Sequence, residues 1–80
     1  MATVLEHTLV LDCKNLLCPM PIIKLNTAIN QLQVGQALQM LATDPGSQYD
    51  VQAWAKQTQN ELVESKKDGK VFTYVVRRTH

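Results

Sequence analysis

The sequence predicts an α/β fold: a two-layer sandwich in the order β-α-β-α-β-β, with two helices covering one face of a four-stranded sheet. Three observations lead there. Apolar residues alternate over residues 7–13, then recur at spacings of three and four over residues 19–33. Turn chemistry follows each periodic segment, at Gly35, at Asp44-Pro45-Gly46 and at Asp68-Gly69. Two β-α-β units, each a right-handed crossover, put both helices on the same side of the sheet.

The first strand is read from Leu9, Leu11 and Cys13, which alternate with Val10 and Asp12. Residues 14–17 connect it to a helix over residues 19–33. Asn15 is the connector residue most tolerant of positive φ. Ile22, Leu25, Ile29 and Leu32 form the buried stripe of that helix, and Gly35 stops it. A second strand covers residues 36–43, with Leu38, Met40 and Ala42 on one face. Ser47 and Asp50 resemble a capping box that opens a second helix, which ends at Thr58. Its inner face holds Val51, Trp54, Ala55 and Thr58. Leu62 and Val63 lie in a third strand, Asp68-Gly69 signals a tight hairpin, and residues 71–78 form a β-prone last strand.

Eighty residues with 45% hydrophobic and 19% charged content suit a single domain over residues 1–80. Net charge is +1, which gives no global field for nucleic acid. Basic residues nevertheless gather late, at Lys66, Lys67, Lys70, Arg77 and Arg78. They form either a solvated hairpin surface or a docking patch for an acidic partner. No basic segment precedes an apolar run at the N-terminus, and no run approaches the length of a membrane span, so a cytoplasmic protein is expected. Two cysteines five positions apart make no disulfide framework. With His7 and His80 near the chain ends, neither a metal site nor a cofactor is expected.

The chemistry centres on Cys18 in Cys18-Pro19-Met20-Pro21, where the strand pattern becomes a helix pattern. Both prolines fit a first helical turn, whose N–H groups lack intrahelical partners. The positive end of the helix macrodipole favours a thiolate there, while partial burial opposes it. With no N–H on either proline, only Met20 and Ile22 are expected to donate towards the sulfur. No histidine neighbours Cys18 to act as a base, which argues against a Cys-His hydrolase. Lys24 is read as solvent-facing and Met20 as a packing or contact residue. Asp44 is either a turn former before Pro45 or a carboxylate brought beside Cys18 by a neighbouring parallel strand. Cys13 is a core residue or a resolving thiol.

This chain resembles the TusA family of small sulfur carriers, also called SirA-like. The likeness runs from Leu11-Asp12 and Leu16 through Cys18-Pro19-Met20-Pro21, then Leu32, Gly35, Thr43-Asp44-Pro45-Gly46-Ser47, Asp50, Trp54 and Glu61-Leu62 to the closing strand. It implies a mixed four-stranded sheet under two helices, and a sulfurtransferase-type carrier. Cys18 would accept sulfur as a persulfide from a cysteine desulfurase or rhodanese-type donor and relay it to an acceptor protein, in tRNA thiolation or other sulfur trafficking. It also implies that Asp44 is the loop acid beside the cysteine. The family has Gly where Asn15 stands and Gly-His where Gln59-Asn60 stand, so the entry to the third strand is expected to differ. Two other readings compete. One is a non-catalytic regulatory or interaction module using the basic hairpin, although 5% aromatic content argues against tight nucleic-acid binding. The other is a thiol redox protein using Cys13 with Cys18. As a carrier, the protein would use Lys66, Lys67 and Lys70 to meet its protein partners.

Overall fold

A computed structural model describes residues 9–17 and 19–80. The elements are β1 (Leu9–Cys13), α1 (Met20–Ile29), β2 (Ala37–Ala42), α2 (Ser47–Thr58), β3 (Glu61–Asp68) and β4 (Val71–Arg77). The strands form one sheet in the order β1-β2-β4-β3. β1 runs parallel to β2, and β4 runs antiparallel to both β2 and β3. This is the expected mixed sheet. Leu38, Met40 and Ala42 of β2 join Phe72, Tyr74 and Val76 of β4 in one buried cluster. Leu25, Ala28 and Ile29 of α1 and Val51, Trp54 and Ala55 of α2 belong to the same cluster. Alternate strand residues point to one face, so both helices cover that face.

Four local expectations need correction. α1 ends at Ile29, with Asn30 as its C-cap, and not at Gln33. The chain then tightens into three-residue turns, Gln31 N–H donating to Ala28 and Leu32 N–H to Ile29. Side chains take over the terminal groups: Gln36 Oε1 accepts the Gln33 N–H, and the Arg78 guanidinium donates to the Asn30 and Leu32 carbonyls. Leu32 stays buried because the tightened turn still carries it over the sheet.

The capping box at Ser47 and Asp50 does not form. Gly46 is the N-cap of α2, and no side chain caps that end. The Ser47 hydroxyl is instead engaged with Tyr74. The hairpin loop lies one residue later than Asp68-Gly69, because Asp68 pairs with Val71 and leaves Gly69 and Lys70 as the loop. Gly69 has φ 62°, as a two-residue loop with glycine first requires. Gln59 adopts left-handed backbone at φ 62° as the C-cap of α2, so a non-glycine residue keeps the turn and β3 still begins at Glu61.

Candidate functional site

The parallel pairing of β1 with β2 sets the geometry. Cys13 lies opposite Ala42, so both strands end together and both following loops leave the sheet side by side. Asn15, at φ 68° as its residue type suggests, donates its N–H to Thr43 Oγ1 at 2.9 Å. That bond ties the 14–19 loop to the 43–46 loop. The N-termini of α1 and α2 rise from the same end of the molecule, since each helix runs back from the strand before it.

At the start of α1, Pro19 is the N-cap and Pro21 falls in the first turn. Pro19 offers no side-chain cap, and that turn contains no acidic residue. The positive end of α1 is therefore not offset by a carboxylate of its own first turn. Met20 N–H donates to the Leu17 carbonyl at 2.9 Å. Cys18 and its expected partial shielding lie outside the described residues, as do His7 and the first part of the 7–13 strand.

Asp44 is half-buried and forms an Asx turn, its Oδ1 accepting the Gly46 N–H at 3.1 Å. Its carbonyl accepts the Ser47 N–H at 3.0 Å. The turn-forming role is thus present, in a loop bonded to the one that leads to Cys18. Cys13 is fully buried, and that burial pushes its thiol pKa up. Lys24 offsets this in part, and Asp12 adds to it. Lys24 itself is exposed, as expected.

Leu17 and Tyr49 are 73% and 74% exposed, and Met20 and Ile23 also project into solvent at this end. Met20 is therefore a surface residue and not a packing one. The β3–β4 hairpin tip is here too, because Phe72 pairs with Ala42. Lys66 pairs with Glu64, the Lys67 ammonium lies 5.7 Å from the centre of the Phe72 ring, and Lys70 sits in the loop. Arg77 and Arg78 lie at the far end, on Glu61 and on the Asn30 and Leu32 carbonyls respectively. The basic residues are thus divided between two ends. An open polar cleft of about 380 Å³ beside Asn26, Asn30, Thr58, Asn60 and Arg78 also lies at the far end. Among the described residues, no three of His, Cys, Asp or Glu gather as metal ligands, and no helix is long and apolar enough to cross a membrane.

The family model described as sulfurtransferase TusA matches residues 9–78, the whole sheet and both helices. This chain belongs to the TusA family. It is 45% identical over 69 residues to the sulfur carrier protein TusA of Allochromatium vinosum, covering 86% of this chain and 91% of that one. It is 39% identical to the putative sulfur carrier protein YrkI of Bacillus subtilis, covering 86% of this chain and 92% of that one. In fold it is similar to the crystal structure of a SirA-like protein from Desulfitobacterium hafniense, with a TM-score of 0.79 at 21% identity, covering 91% of this chain and all of that one. The Ser47–Tyr74 contact is the feature of this TusA chain that sequence reasoning missed. Its signals were weak: a polar-tipped aromatic at an inward strand position, and a serine one residue past a helix cap.

Proposed function

We propose that this protein is a cytoplasmic sulfur carrier whose Cys18 cycles between thiolate and persulfide. Family membership supports the carrier role. The observation that carries the assignment to Cys18 is the strand-to-helix junction, where Pro19 is the N-cap of α1, Pro21 sits in its first turn, and that turn holds no acidic residue. In the loading step, the Cys18 thiolate attacks the terminal sulfur of a donor persulfide. The new S–S bond forms as the donor's S–S bond breaks, and the donor leaves as a thiolate. In delivery, an acceptor thiolate attacks the outer sulfur and Cys18 is released as a thiolate. Neither step needs an external oxidant or reductant.

Asp44 would bear on Cys18 from the neighbouring loop. The exposed apolar residues and Lys66, Lys67 and Lys70 would meet the desulfurase or rhodanese-type donor and the acceptor in turn. The redox reading has less support, because a fully buried Cys13 is poorly placed to resolve a disulfide. The test is the intact mass after incubation with a cysteine desulfurase and cysteine. The expected result is a gain of one sulfur atom, reversed by reductant and absent in Cys18→Ser. A mass that never changes, or a gain that survives in Cys18→Ser, contradicts the proposal.

A further inference from the structure

The cleft at the far end, about 380 Å³ in volume, takes no part in the sulfur chemistry above. It lies between the ends of α1 and α2, beside Arg78. Its size is that of a pocket for a small organic molecule. Ile29 is the one apolar residue in an otherwise polar lining, and it is 3% exposed. None of the lining residues is acidic.

What the cleft offers follows from which polar groups are already spent. The Trp54 indole can only donate, and it donates to Asn26 Oδ1 at 3.2 Å. That fixes the Asn26 amide and leaves its Nδ2 hydrogens unspent. The Thr79 N–H also can only donate, and it meets Asn60 Oδ1 at 3.1 Å. Asn60 Nδ2 gives one hydrogen to Thr58 Oγ1 and keeps the other. Arg78 donates from Nε to the His80 main-chain oxygen and from Nη1 to the Asn30 and Leu32 carbonyls. Its Nη2 has no partner among the described residues. Acceptors are the reverse case. The Asn30 carbonyl is taken by Arg78, and the Gln59 carbonyl by the Thr79 hydroxyl. Spare donors thus surround a guanidinium.

Such a set fits an oxyanion, and a carboxylate better than a phosphate. The guanidinium supplies one positive charge, while both helices turn the negative ends of their dipoles towards the cleft. A single negative charge is matched there; a double one is not. The exposed carboxamides of Asn30, Gln57 and Gln59 suit hydroxyl groups on the rest of the ligand. We propose that this cleft binds a small hydroxylated monocarboxylate, whose carboxylate is held by Asn26, Asn60 and Arg78.

The test is a titration with sodium gluconate. It is read by the emission of Trp54, the only tryptophan of the chain, and by the Asn26 and Asn60 side-chain amide signals in heteronuclear NMR spectra. Sorbitol, a chain of hydroxyls without the carboxylate, and sodium phosphate at matched ionic strength are the comparators. Gluconate should saturate both signals with a Kd about tenfold below that of either comparator, the worth of one charge-assisted hydrogen bond. Asn26→Asp keeps the acceptor for Trp54, and with it the fold, but puts a carboxylate where the donor was. Gluconate binding should then weaken by about tenfold or more. Asn60→Asp makes the same change beside Thr79 and serves if the first variant unfolds. Equal affinity for sorbitol, tighter binding of phosphate, or no saturable response to gluconate overturns the proposal. So does gluconate binding that these aspartates leave unchanged.

Discussion

The two ends of the molecule are built on different terms. At the far end, the protein satisfies its own groups. Arg78 donates to the carbonyls that end α1, Gly35 and Gln36 exchange backbone bonds with Arg78, and Thr79 bonds to Asn60 and Gln59. At the end carrying the 14–19 and 43–46 loops, Leu17, Met20, Ile23 and Tyr49 are left in solvent, and neither helix has a side-chain cap. One end closes the fold. The other leaves apolar surface facing outward, as a surface that must meet other molecules would.

This division predicts that stability and sulfur transfer separate by position. Arg78→Ala removes charged hydrogen bonds from the Asn30 and Leu32 carbonyls, the second of them half-buried, and should cost about 2 kcal/mol. Urea unfolding would show that loss while the Cys18 alkylation rate stays at the wild-type value. A changed alkylation rate would mean that the two ends are coupled.

A smaller effect, of opposite sign, belongs to Gln59. A left-handed residue with a side chain costs roughly 1–2 kcal/mol, and glycine avoids most of it. Gln59→Gly should stabilise by about 1 kcal/mol in the same unfolding measurement. Asn15→Gly should stabilise by only a few tenths, since asparagine tolerates this backbone state better. Equal gains at both positions would show that residue type matters less there than the surrounding bonds.

The smallest effect concerns the open end. Lys66→Glu with Lys67→Glu should slow association with a cognate desulfurase or acceptor severalfold at low salt, without changing the melting temperature. The difference should shrink as salt screens the charges. Stopped-flow binding at two ionic strengths measures it. A slowing that is independent of salt would mean that the hairpin acts through shape.

Much of this architecture was legible from local pattern. Leu9, Leu11 and Cys13 alternate because β1 has one buried face. The 22, 25, 29, 32 spacing marked the α1 stripe even though the helix ends at Ile29, because the following tight turns keep Leu32 over the core. Parallel strands also brought the Asn15 and Asp44 loops together as expected. What escaped was set by partners distant in sequence. Ser47 carries a capping signature, but its hydroxyl is claimed by Tyr74, 27 positions away. Arg78 read as surface charge, yet it donates to the Asn30 and Leu32 carbonyls, 48 and 46 positions earlier. Periodicity reports which face is buried; it does not report which buried polar group will find which partner.

The central claim is that sulfur travels on Cys18 and not on Cys13, which is buried in the core. Peptide mapping of the protein after loading by a cysteine desulfurase, with persulfides trapped by alkylation, tests it directly. The extra sulfur should appear on the peptide containing Cys18, with Cys13 recovered as an unmodified thiol. Sulfur on Cys13, or a disulfide between the two residues, would contradict the account.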